Sequence, residues 1–362
     1  MLLNIQFLRF SAAMLVVLYH TAAQVTDSQS AIHGLFFLGQ AFGFAGVDVF
    51  FVISGFIMAY TTLEKSGIHN GTVFARKRAA RIFSGHWPFF MLTLVVFYWT
   101  RNSHFIDSNL IASFFLWPQP LNRTLLEITW TLSFELYFYL LFSVLIWLIP
   151  SNKRMLVCTL IAAFLLALSL YQHFVVDAFG LDKLYLMSFK NYFLASPFIL
   201  EFFSGSVLAY YLHKKPAGWS TLWVVAGCAL FLASGAINVK IYGGEIEQGF
   251  HVVPRVLWFG SASLMILTGL VRLENRSINT PSRFSLLAGG ASYAIYLSHI
   301  LILVAAKEIG IFSFLSALPF ALSAIGYLLL MALVPVYSIL HYQKLEKPLH
   351  HVFKRWTRVS GS

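Results

Sequence analysis

Six ionisable residues lie inside otherwise apolar runs of this chain: Arg9, His20, Asp48, Glu135, Glu201 and His299. An ionisable group held in lipid is costly, faces the interior of a helix bundle and marks a functional position by default. Arg9 and His20 are eleven residues apart. At about 100° per residue they share nearly one face of a helix and stand roughly 16 Å apart along its axis. Such a pair suits an anionic ligand held at one end and proton chemistry at the other, and it equally suits two polar contacts between helices. Glu135 and His299 are expected at the depth of His20. Two imidazoles and a carboxylate at one level make either an acid/base cluster, because imidazole exchanges protons near neutral pH and a carboxylate can orient it, or a structural polar cluster. The same three residues lack metal-ligand spacing on any one helix, so no metal site is expected. Asp48 needs a cationic partner, for which Arg9 or His20 is the natural candidate. Glu201 has no partner visible in the sequence.

A second group is cationic. Arg76, Lys77, Arg78 and Arg81 put four positive charges in six residues. This run is either a cytoplasmic topology signal or a phosphate site, since guanidinium forks hold phosphate bidentately. No glycine-rich loop precedes it, which argues against a P-loop nucleotide site.

Elements that could position these residues must be membrane helices. Hydrophobic residues make up 59% of the 362 and charged residues 11%, against roughly 25% charged in soluble domains. The mean hydropathy is +0.75. A bilayer-spanning helix needs about 20 mostly apolar residues. Such runs occur near 5–23, 35–61, 84–99, 131–149, 155–172, 193–213, 220–238, 252–272, 287–306 and 314–340. The expected fold is therefore an all-α integral membrane protein, a single bundle of about ten transmembrane helices. Leu110–Pro118 is too short to cross, and is expected to lie in the interface or re-enter. Trp99, Trp117, Trp130 and Trp219 fall near span ends, where interfacial belts form.

Ten spans put both termini on one side. With that side cytoplasmic, 17 of the 25 Lys and Arg residues fall in inner connections or the tail. Seven fall outside (Arg101, Arg123, Lys183, Lys190, Lys240, Arg255 and Lys307), with Arg9 inside the first helix left aside. The bias predicts cytoplasmic termini and accounts for the net charge of +11 without nucleic acid. Arg9 and His20 interrupt the first run, so it reads as a retained helix rather than a cleaved leader. Cys158 and Cys228 sit in separate apolar runs as plain core residues. The expected division is a membrane domain over 1–341 and a basic cytoplasmic tail over 342–362.

Taken together, these segments resemble the family-3 membrane acyltransferases. The run Asn4 to Phe10, continuing to His20, matches the family's Arg, ten residues, His signature. Gly46 to Phe56 is similar to its second-helix motif, Arg78 and Arg81 match its Arg-x-x-Arg element, Trp130 to Glu135 is similar to Trp-x-x-Ser-x-Glu, and Ala291 to His299 matches its late histidine motif. The opening Asn-Ile-Gln and the stretch Leu200 to Gly205 look most like the branch that acylates exopolysaccharides. A proline usual shortly after Arg-x-x-Arg is replaced by Ser84, so a different approach into the third helix is expected. The resemblance implies an inner (plasma) membrane enzyme that moves an acyl group, expected to be acetyl, from cytoplasmic acyl-CoA to a sugar hydroxyl of a polysaccharide or lipid-linked glycan. It requires no permanently bound cofactor. On that reading Arg9, Arg76, Arg78 and Arg81 hold the phosphates of coenzyme A, and His20 is the general base. Glu135 or Asp48 orients His20, and His299 or Trp130 positions the sugar, with Ser133 beside it. No Cys or Ser stands beside His20 as a covalent nucleophile, which favours direct transfer. A glycan or lipid transporter is the rival class. It would need comparable intramembrane charges, but no inverted repeat or pair of broken helices is visible.

Overall fold

The computed structural model describes residues 2–26, 32–101, 104–175, 193, 196–244 and 253–356. Lys183, Lys190 and Arg358, used in the charge count, lie outside the described residues. The chain forms helices α1 (Leu3–Thr26), α2 (Ile32–Phe42), α3 (Gly46–Tyr60), α4 (Ile68–Trp99), α5 (Trp130–Leu148), α6 (Ser151–Phe174) and α7 (Phe198–Lys214). It continues with α8 (Thr221–Tyr242), α9 (Ser261–Asn275), α10 (Ser282–Gly290), α11 (Ser292–Glu308), α12 (Phe320–His341) and α13 (Lys347–Trp356). No strand occurs among the described residues.

Eight of these helical stretches are long and apolar enough to cross a bilayer, and α10 with α11, bent by 54°, makes a ninth. The remaining expected span corresponds to α7, whose 17 residues stand at the short end of the crossing range. The protein is thus an all-α, multi-pass membrane protein. Lipid-facing and central helices differ in the way an apolar solvent requires. α6 and α12 leave Leu156, Leu160, Phe164, Leu322, Ile325 and Leu329 exposed, whereas α3 is buried along nearly all its length.

Small residues put α3 at the centre. The Gly55 Cα lies against the Phe202 carbonyl of α7, and Gly205 lies against the Val52 carbonyl of α3, so a Cβ at either position would strike backbone. Ser206 Oγ then donates to the Gly55 carbonyl at 3.0 Å. Gly46 meets the Ala12 carbonyl of α1 in the same way. Close approach of this kind is what holds helices together where lipid removes the hydrophobic drive between them. Around this seam Phe51, Phe134, Phe138, Phe198 and Phe202 interlock, largely edge to face or tilted, the arrangement the ring quadrupole favours.

Three expectations are corrected. The third span, expected over 84–99, begins at Ile68, and the basic run 76–81 is helix rather than loop. Ser84 keeps its backbone N–H where a proline would lose it, and the proline inside α4 stands one turn later at Pro88, where the bond to the Ser84 carbonyl is given up. Trp99, Trp117 and Trp219 are exposed as belt residues should be, but Trp130 packs inward against Phe51, Phe134 and Phe198. Arg255, counted among outer loop charges, is buried in the bundle.

The short segment around Leu110–Phe114 packs against α4. His86 Nε2 donates to the Ser113 carbonyl at 2.9 Å, and Trp87 Nε1 to the Phe114 carbonyl at 3.2 Å. Both donors lie roughly 18–20 Å of helix before the end of α4, so the chain folds back beside α4 before α5 begins. The residues expected as a basic tail continue from α12 through a π-helical turn, Tyr342–Glu346, into α13, which lies across α4.

Candidate active site

α1 carries both ends of the site. At one end, Arg9 meets Arg78 and Arg81 from α4 in one cavity of about 190 Å³. The two α4 arginines are three residues apart, so they share a helical face. Arg76, at another angle of the same helix, is exposed and does not line the cavity. Gln6 accepts from Arg9 Nη1 at 3.3 Å. Arg78 lies over the rings of Phe74 and Tyr139, 5.5 and 5.6 Å from their centroids, and its Nη2 reaches Thr61 Oγ1 at 3.5 Å. Three guanidinium groups lining one cavity repel one another and attract anions. Glu135 is the carboxylate among them. It accepts a short hydrogen bond from Tyr139 and one from Ser54 Oγ at 3.5 Å.

From the arginines the cavity runs along α3 from Met58 to Val47, roughly 16 Å of helix, and its far walls are mostly apolar: Val47, Phe50, Phe51 and Leu132. Tyr296 closes that end. Its hydroxyl donates to the Ile128 carbonyl at 3.0 Å and lies 3.0 Å from Thr131 Oγ1. Its ring contacts Phe50 on one side and His299 on the other.

Beyond Tyr296 the two histidines meet. His299 Nε2 is 3.2 Å from His20 Nδ1. The hydrogen positions follow from what each nitrogen faces. His299 Nδ1 faces the Ile295 carbonyl at 3.3 Å, which can only accept, so that nitrogen carries the hydrogen and Nε2 presents a lone pair. His20 Nδ1, which also faces the Val16 carbonyl at 3.0 Å, is then the donor to it. His20 Nε2 is left as a bare lone pair with no protein partner among the described residues. This is the arrangement a proton acceptor needs.

The expected carboxylate at the histidine level is absent from this pair: neither Glu135 nor Asp48 hydrogen-bonds His20. Asp48 instead pairs with Arg255, Nε to both carboxylate oxygens at 3.0 and 2.9 Å and Nη2 at 2.6 Å. That guanidinium also lies over Phe44 and Phe198, 4.8 and 5.1 Å from the centroids. Neither Arg9 nor His20 is Asp48's partner, because α3 turns Asp48 away from the cavity face that carries Ser54. Glu201 is buried beside Asp48 and against Gly260, so two carboxylates surround one guanidinium. Ser133 lies on the α5 face away from the cavity, which α5 lines with Thr131, Leu132, Glu135 and Tyr139. Tyr139 and Tyr296 went unassigned in the sequence, though helix spacing marks both: Tyr139 is four residues after Glu135, and Tyr296 three before His299.

Comparison with known proteins identifies the family. The family model described as an acyltransferase domain matches residues 2–340. The chain belongs to the family-3 acyltransferases. It is 27% identical over 328 residues to the exopolysaccharide production protein ExoZ of Rhizobium meliloti (strain 1021), covering 85% of this chain and 89% of that protein. It is 25% identical over 324 residues to the acyltransferase MdmB of Streptomyces mycarofaciens, covering 82% and 77%. No solved structure matches it. This membrane acyltransferase therefore places its motif residues in two connected clusters, an arginine cavity and a histidine pair, carried by one helix.

Proposed function

We propose that this acyltransferase moves an acyl group, acetyl on our reading, from acyl-CoA on the cytoplasmic side of the inner (plasma) membrane to a hydroxyl of a cell-surface or exopolysaccharide sugar. One observation carries the reading: three arginines converge in one cavity, and the base-ready His20 stands about 16 Å further along the same helix. An extended phosphopantetheine arm, about thirteen bonds from phosphorus to sulfur, spans roughly 16 Å. Phosphates held by Arg9, Arg78 and Arg81 thus bring the thioester to the histidines. The lysine and arginine bias puts α4's basic end inside, which agrees with a donor made in the cytoplasm. The exopolysaccharide role of the relative from Rhizobium supports the carbohydrate acceptor.

In the reaction the acceptor hydroxyl oxygen attacks the thioester carbonyl, a C–O bond forms and the C–S bond breaks. His20 Nε2 takes the hydroxyl proton and returns it to the leaving thiolate, a general-acid/base role worth about 10²–10⁴-fold. His299 fixes the tautomer and orientation of His20, the task expected of Glu135 or Asp48. Glu135 offsets part of the repulsion among the arginines. Tyr296 is the partition the acyl group passes, and Trp130, one residue from Thr131, is the candidate platform for the sugar ring. Purified protein in vesicles, given acetyl-CoA labelled in the acetyl group and the polysaccharide of its own cell, tests the proposal. Label bound covalently to glycan supports it, whereas glycan that crosses the vesicle unmodified would make the protein a transporter.

A further inference from the structure

The C-terminal helical extension brings a carboxylate to the arginine cavity. Glu346 sits in the π-helical turn between α12 and α13, is 5% exposed, and one of its oxygens, Oε2, has no hydrogen-bond partner. Its position is bracketed by contacts one turn away on each side. Four residues before it, the Tyr342 ring presses on Gly290, next to the α11 residues that line the cavity. Four residues after it, His350 Nδ1 is 3.5 Å from Ser84 Oγ, and Ser84 is three residues beyond Arg81. Phe353 then packs on Trp87. This register sets Glu346 within electrostatic reach of Arg81 and Arg9. It does not line the cavity, so it stands behind the guanidinium groups rather than among the ligand's contacts.

We propose that Glu346 is the counter-charge of the donor site, weakening the hold of Arg9 and Arg81 on the phosphates of an anionic donor so that spent coenzyme can leave. The inference rests on reading the cavity as that site. A buried carboxylate near two of the three arginines competes with every anion they bind, because its own attraction is lost in proportion as a phosphate takes it over. The tail of the chain is thereby a part of the donor site, set to limit its affinity.

Equilibrium binding of radiolabelled coenzyme A and of inorganic pyrophosphate to full-length protein in nanodiscs tests this. Glu346→Gln should bind both about three- to ten-fold more tightly, while Glu346→Asp keeps the charge and stays near wild type. Neutral pantetheine should bind both variants as it binds wild type. Should the amide fail to insert, Glu346→Met removes the charge with an apolar chain and carries the same expectation. Tighter coenzyme A binding supports the proposal, and unchanged or weaker binding overturns it. If wild type binds no coenzyme A but the neutral variants hold pyrophosphate more tightly, the donor reading falls and the counter-charge stands. If neither probe responds to the neutral variants, the counter-charge is overturned.

Discussion

At the scale of single residues, His20 and the α4 arginines separate chemistry from binding. His20→Gln keeps a polar side chain but cannot accept a proton at neutral pH. It should insert and bind acyl-CoA while transfer falls about 10²–10⁴-fold; near-normal turnover would reduce His20 to a packing contact. The wild-type rate should have an acidic limb. On the proposed mechanism His20 acts as the neutral base, so activity should be full above its pKa and lost as pH falls through it; the unperturbed imidazole value is about 6.5. The arginines offer a contrast within one helix. Arg78→Ala and Arg81→Ala each remove a charge-assisted contact worth about 1.5–3 kcal/mol, and should raise the acyl-CoA requirement by about ten-fold or more. Arg76→Ala, on the exposed face, should leave it unchanged. Equal losses at all three positions would mean that net charge, rather than the cavity, attracts the donor. The sequence showed that these arginines were clustered; only the helical phase of α4 tells which of them turn inward.

At the scale of helices, the buried Asp48–Arg255 pair fixes α3 to the π-helical turn Val256–Gly260 that leads into α9. Arg255→Met leaves Asp48, and Glu201 beside it, without a cation. Removing one partner of a buried pair costs about 3–5 kcal/mol, so thermal unfolding in detergent should shift down sharply. Asp48→Asn with Arg255→Met should recover part of the loss, because the carboxylate and its partner go together. An Arg255→Met protein as stable as wild type would show the pair to be dispensable. Helix positions were legible from apolar runs. The Asp48 partner was not: Arg255 stands near the start of an apolar run, where sequence alone reads it as a loop charge. The length of α4 was hidden too, since its first turns are polar on one side and their apolar face becomes visible only once α5 packs on it.

For the whole molecule, the charge bias, the Arg9-to-His20 axis and the donor side form one statement about orientation. Cysteine placed at Asn70, just inside α4, should react with a membrane-impermeant thiol reagent only from the cytoplasmic side. Cysteine at Gly310, after α11, should react only from outside. The reverse pattern would move the arginine cavity to the outer face and remove the acyl-CoA proposal with it. The two-cluster layout was partly legible beforehand, because one helix carries both signatures eleven residues apart. The direct bond between His20 and His299 was not, since it depends on the bend between α10 and α11 that sets the height of α11.

The Asp48–Arg255 pair joins residues 207 positions apart, which has a meaning in time as well as in space. Chains are made at roughly 5–20 residues per second, so about 10–40 s pass between the synthesis of one partner and the other. Through that interval α3 is in place with an anion and no cation to meet it. For that time the central helix lacks the contact that fixes it in the finished fold. Any ribosome that stops before Arg255 leaves behind a fragment whose central helix carries an aspartate without its cation. Chain growth thus separates the arrival of the central helix from the completion of its pairing.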